Sequence, residues 1–287
     1  MTTVIDPPHK AGDGIAGPRL GDAVAADLTR EQCPQAFAWP VRRPLLWAEW
    51  RHLAMLNYEI DPEVLQPYIP MGTELDFWEG KTYASIVGFE FLDARLMGVR
   101  IPFHSNFEEV NLRIYVRRRA EEGWRHGVVF IREIAPRWAV AVTARLLYGE
   151  NYLCVPMSHK ITPSTDPNGE APQRIEYRWR LRNKNRHVRL ETAGRAYRPA
   201  PGSHEEFIVE HYWGYASLPR ARAKEYCVAH CPWRISPATN LEFNCDVAAL
   251  YGPQFAPFMH DAPASAFWAD GSAVRVYPGQ RIKDLSK

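Results

Sequence analysis

Between Glu109 and Arg117 the sequence reads Glu-Val-Asn-Leu-Arg-Ile-Tyr-Val-Arg, a strict alternation of polar and aliphatic residues. A period of two marks a strand whose two faces differ. Val110, Leu112, Ile114 and Val116 share one face, while Glu109, Asn111, Arg113, Tyr115 and Arg117 share the other. Same-face neighbours stand about 7 Å apart, so the second face presents a carboxylate, an amide, a guanidinium and a phenol in one row. Turned inward, such a row makes a polar pocket for a carboxylate or carbonyl compound. Turned outward, it is a solvated surface with Glu109 and Arg113 as an ordinary pair, and on the pattern alone the polar-out rule favours that outcome.

Other chemistry-bearing residues are less organised. Cys227 and Cys231 flank His230, with His211 upstream, but a zinc site normally needs a second ligand pair at comparable spacing and none is visible. No metal and no cofactor are therefore expected. Five cysteines, an odd number scattered without a secretory signal, are expected to be reduced thiols. The alternating Arg178, Arg180 and Arg182, followed by Lys184 and Arg186, read as a solvated strand face. A net charge of +2 and the lack of a companion motif argue against nucleic acid as a partner. Arg117 to Arg119, followed by Glu121, Glu122 and Gly123, look like a hairpin end. There is no G-x-S-x-G, phosphate loop or dinucleotide fingerprint. His52, His104, His159, His187 and His211 stand isolated and read as structural or surface residues.

The elements that must position the Glu109 row are mostly strands. Residues 83–92, 109–117, 128–134, 175–181, 188–192, 226–230 and 273–277 carry β-forming composition between turn signals. A helix is expected after Pro136, through WAVAVTARLLY to a stop at Gly149. Ser203 and Glu206 form a capping box leading into a second helix through EEFIVEHYWGYA, and a short helix is expected over 62–68. Hydrophobic residues at 46% supply a sizeable core, and charged residues at 24% keep the surface solvated. No apolar run approaches the ~18 residues of a membrane helix, and no signal peptide is visible, so a cytoplasmic location away from membranes is expected. Residues 1–40 are rich in Pro and Gly and read as a flexible tail, leaving one domain over 41–283. A homo-oligomer is compatible with this composition, and nothing in the sequence decides it.

A resemblance adds to this reading. The run RHLAMLNYEIDPEVLQPYIPMGTELDFWEGKTYASIVGFEF, then FEEVNLRIYVR, RLLYG, PGSHEEFIVEHYWGYA and HCPW resemble the YqjF-like family, DUF2071, in order and at plausible spacing from about Leu45 to Pro278. That family is similar in turn to acetoacetate decarboxylase. The resemblance implies an α+β, mainly antiparallel fold: a cone-shaped β-barrel with a few peripheral helices and an enclosed active site. It also implies that the Glu109 row faces inward, against the polar-out expectation. Three pocket positions of the decarboxylase pattern fall on Arg51, Glu90 and Glu109.

The Schiff-base lysine of that pattern has no match. Its place falls near Tyr152 or Leu153, and the nearest lysine is Lys160. Neither tyrosine nor leucine can condense with a ketone to form an iminium. The expectation is therefore a pocket without amine chemistry, taking a small anionic or carbonyl-bearing molecule. Arg51 and Arg113 would hold an oxygen through forked donors, assisted by Asn111 and Tyr115. Glu109 or Glu90 would serve as acid or base, and Tyr152 as a proton or hydrogen-bond donor. Dehydration, enolisation, cyclisation or unassisted decarboxylation of an oxo acid all fit that set. A binding protein with the same pocket and no chemistry is the alternative.

Overall fold

The computed structural model describes residues 43–137, 151–166, 172–219 and 222–282. The tail expected over 1–40 and the helix expected after Pro136 lie outside the described residues.

Among the described residues fifteen strands form one hydrogen-bonded network. In chain order the first seven are β1 (Leu46–Glu59), β2 (Glu74–Leu75), β3 (Tyr83–Leu96), β4 (Val99–Arg100), β5 (Phe107–Ala120), β6 (Gly123–Ala135) and β7 (Tyr152–Cys154). Next come β8 (Met157–Thr162), β9 (Arg174–Leu181), β10 (Lys184–Thr192) and β11 (Trp213–Leu218). The last are β12 (Arg222–His230), β13 (Ile235–Asn244), β14 (Ser265–Val276) and β15 (Gln280–Arg281). Short α-helices among the described residues accompany them: α1 (Pro62–Leu65), α2 (His204–Val209) and α3 (Val247–Leu250).

The path β14-β1-β3-β5-β6-β11-β12 closes on itself, because β12 pairs back with β14. The result is a ring of seven strands, antiparallel throughout except where β11 runs parallel to β6. A second limb, β13-β10-β9-β8, continues from β14. Its Tyr177, Trp179, Val188 and Leu190 share a core with Leu56, Ile86, Leu112 and Ile114 of the ring. A separate core of Leu53, Met55, Val87, Phe89, Phe91, Phe107 and Trp233 fills the ring's interior. Strand β5 is therefore covered on both faces, and this is why polar-out fails for Glu109. The rule presumes one face in water, and here a second sheet takes the Val110 face.

Strand β1 carries the least regular pattern in the ring. Its register to β3 slips between Arg51 and Ala54, where His52 adopts φ +55°. Such a bulge breaks the period-two signal that would otherwise mark the strand. Gly271 sits opposite Arg51 at φ +77°, and a Cβ there would lie 2.0 Å from the Trp50 carbonyl oxygen. Only glycine lets β1 and β14 approach so closely.

The capping box forms as expected: Ser203 Oγ accepts from Glu206 N, and the Glu206 carboxylate accepts from Gly202 N. The helix it starts is shorter than expected. It ends at Val209, and Trp213–Leu218 is a strand, since this aromatic-rich stretch gains a full pairing with β12. Cys154, Cys227 and Cys245 are free thiols, but Cys231 is disulfide-bonded, which corrects the expectation of five reduced thiols. Cys231 lies just past the end of β12 and is half-buried, whereas Cys227 is packed inside it. No helix among the described residues is long and apolar enough to cross a membrane.

Candidate active site

A cavity of about 150 Å³ opens inside the ring. Its polar wall comes from three neighbouring strands. Strand β5 contributes Glu109, Asn111 and Arg113 in the expected row, all facing inward. Strand β6 contributes Glu133, and β7, parallel to it, contributes Tyr152 through the pairing Glu133↔Tyr152. His211 and His230 close the wall from the segments around β11 and β12.

Glu109 is 2% exposed and receives two hydrogen bonds: Asn111 Nδ2 donates to Oε1 at 2.9 Å, and the Tyr152 hydroxyl donates to Oε2. Burial pushes its carboxyl up from 4.5 to about 7, with the two hydrogen bonds pulling the other way. Burial, reinforced by Glu109 and Glu133 nearby, holds the Tyr152 phenol well above its ordinary range. Tyr152 is thus a protonated donor at neutral pH. Arg113 spends one arm on the Ile208 carbonyl at 2.9 Å, while its buried Nε has no hydrogen-bond partner. Asn111 Oδ1 is likewise buried without one. These two atoms are an unfilled donor and an unfilled acceptor, which a buried wall rarely leaves without reason.

Burial drives His211 well below its ordinary value, and Arg113 beside it acts in the same direction. His230 is stacked between Tyr212 and Trp233, with ring centroids 4.6 and 4.4 Å away. Burial lowers its pKa too, so both imidazoles are neutral at pH 7. Among the described residues no lysine lines the cavity, and Lys160 lies exposed on β8.

Two expected members stand elsewhere. Glu90 is on β3 directly opposite Glu108, one residue out of phase with the Phe89↔Glu109 pair. It therefore faces the second limb, where His159 bridges it at 3.1 Å and Glu108 at 2.7 Å. Arg51 pairs across β1–β3 with that same Glu90, and its Nε donates to Glu49 at 2.8 Å. The period of two assigns both to the outer face, so neither lines the cavity. Tyr115 points inward but lies beyond the cavity floor, its hydroxyl 2.6 Å from Ser85 Oγ and its ring packed on His211.

No pattern in the residues points to Glu133. The register of β5 to β6 jumps between Leu112↔Arg132 and Arg113↔Phe130, leaving Ile131 unpaired. This bulge resets the alternation, so Val128, Phe130 and Glu133 all line the cavity although 130 and 133 differ by an odd number. In sequence His211 and His230 group with Cys227 and Cys231 as a weak zinc candidate, which gives no hint that they wall a cavity.

The family model described as "Uncharacterized conserved protein", DUF2071, matches residues 47–273. The chain belongs to the DUF2071 family. It is 24% identical over 228 residues to the protein YqjF of Bacillus subtilis, covering 76% of this chain and 88% of that one. Among solved structures it is similar to the enduracididine biosynthesis enzyme MppR with bound HEPES buffer, with TM-score 0.58, 13% identity and coverage of 85% and 90%. It is also similar to acetoacetate decarboxylase of Legionella pneumophila, with TM-score 0.55, 12% identity and coverage of 96% and 100%. These likenesses show the fold: this DUF2071 chain has the acetoacetate-decarboxylase-like architecture.

Proposed function

We propose that this DUF2071 protein is an acid–base enzyme acting on a small oxo acid or related carbonyl compound, without a Schiff base. The observation that carries the reading is Glu109: an enclosed carboxyl, held by Tyr152 and Asn111, with an acidity near neutral pH. A group half-ionised at working pH can both take and return a proton, which is what enolisation, dehydration or cyclisation requires. The partnerless Nε of Arg113 is a fixed donor for the oxygen on which charge develops. Tyr152 stays protonated and donates its hydrogen bond to Glu109, steadying the ionised form that takes the substrate proton. Asn111 orients Glu109, and its vacant Oδ1 can accept from a substrate hydroxyl or enol. The similar MppR has been captured in complex with pyruvate and with a condensation product of pyruvate and imidazole 4-carboxaldehyde, which agrees with a carbonyl ligand.

The test pairs binding with turnover. Oxo acids are screened by calorimetry, and deuterium exchange at the carbon beside the carbonyl is followed by proton NMR. Glu109→Gln should retain binding and lose exchange by about 10²–10⁴-fold. Binding without exchange in the wild type would make the protein a carrier with the same pocket. Exchange unaffected by the substitution would remove Glu109 from the chemistry.

A further inference from the structure

The cavity is graded along its length, and the register of the strands fixes the direction. On β5 the lining residues run Phe107, Glu109, Asn111, Arg113, so Phe107 stands at one end and Arg113 at the other, about 20 Å along the strand. Phe107 pairs with Phe91, and Trp50 pairs with Phe91 on the other side. Leu46 then pairs with both Leu96 and Val276, and Val276 with Val228. All of these line the cavity, together with Ala94 and Ile101. The opposite end holds Asn111, Arg113, Glu133, Tyr152 and His211. One end is therefore hydrocarbon and aromatic apart from His104, whereas the other gathers the polar groups among Val128, Phe130, Val209 and Trp213, with Glu109 at the junction.

The apolar end reaches the surface. Leu46, Trp50, Leu96 and Ile101 are half-exposed, whereas Asn111, Arg113 and Glu133 are buried. Beyond the mouth, the β3–β4 hairpin and the loop after it continue the apolar surface with Met97 at 73%, Val99 at 67% and Phe103 at 88% exposure. The aromatic wall is rigid: Phe91 stacks on Phe107 with centroids 4.6 Å apart, and Trp50 meets Phe91 edge-on at 5.7 Å. A ligand such as pyruvate or acetoacetate would fill only the polar end and leave this wall against water.

We propose that the substrate carries a hydrocarbon or aryl tail, seated against Phe91, Phe107, Leu96, Leu46 and Val276, behind a carbonyl head at Glu109 and Arg113. The inference rests on the acid–base reading of that head site and adds the class of molecule it serves. Water displaced from the aromatic wall supplies the affinity, and the polar end supplies the orientation. Each methylene buried on the wall is worth about 0.8 kcal/mol, which is about a fourfold gain in affinity.

Calorimetry with straight-chain 2-oxo acids from pyruvate to 2-oxooctanoate, with phenylpyruvate, and with 1-octanol as a headless control tests this. Affinity should rise about fourfold per methylene until the wall is covered, and phenylpyruvate should bind with the longer members. Leu96→Asp, shown to be folded by circular dichroism, should flatten that slope below twofold per methylene. Equal affinity along the whole series would overturn the tail and leave the head site standing. A rising series that 1-octanol matches at equal length would support the apolar wall while refuting the carbonyl head. A slope unchanged by Leu96→Asp would show that the tail lies elsewhere and would overturn the proposal.

Discussion

Replacing Glu109 by glutamine should change how stability depends on pH, by an amount the structure sets. The new amide can still accept from Tyr152, and the vacant Oδ1 of Asn111 can turn to accept its N–H, so the wall need not rearrange. In the wild type, burial raises the carboxyl from 4.5 to about 7. Between those values the folded protein keeps a proton that the unfolded chain has released. Stability from this group is complete below about pH 4.5 and is lost as pH climbs through about 7. At ~1.4 kcal/mol per unit the loss is on the order of 3 kcal/mol, or roughly 6–12 °C in Tm for a domain of 150–250 residues. Buried His211 and His230 work in the opposite sense, adding stability as pH rises toward their ordinary value of 6.5. The useful quantity is therefore the wild-type stability minus that of Glu109→Gln, from urea melts at half-unit steps between pH 4.5 and 8. That difference should fall by on the order of 3 kcal/mol across the range. A flat difference would mean that Glu109 is solvated. A difference that rises with pH would mean that Arg113 holds the carboxylate ionised, and the acid–base role would fail with it.

Glu90→Gln, which the family resemblance placed in the pocket, should leave turnover within about twofold and cost about 1 kcal/mol through its weakened bond to His159; a loss of turnover like that of Glu109→Gln would place it back at the site. Glu225 is buried and accepts from both Arg118 and Arg125, so Glu225→Gln should cost about 3–5 kcal/mol, read as a lower urea midpoint. Gly271→Ala forces a Cβ to within 2.0 Å of the Trp50 carbonyl at a backbone angle of +77°, and should open the β1–β14 seam. The expected cost is about 3 kcal/mol, and a variant as stable as wild type would show that the seam yields easily.

The division between what the chain announces and what only folding decides runs through single strands. The alternation of Glu109 to Tyr115 is local, so the row's composition and spacing were readable from residue types alone. So were the capping box at Ser203 and Glu206 and most strand cores, since each depends on neighbours a few residues apart. Which way the Glu109 row faces was not readable. That depends on ring closure through β12–β14 and on the limb β13-β10-β9-β8, contacts between residues far apart in sequence. The same non-local geometry sends Glu90 and Arg51 outward. Their order along the chain matches the decarboxylase pattern, but a one-residue phase difference moves a side chain to the other face of the sheet. Bulges hide the rest: one at His52 obscured β1, and one at Ile131 turned Glu133 into the cavity. The sequence by itself determined the inventory of the site, a carboxylate, an amide, a guanidinium and a phenol with no lysine nearby. The tertiary structure decided which of them meet, because burial and register belong to the closed ring and to no segment of it.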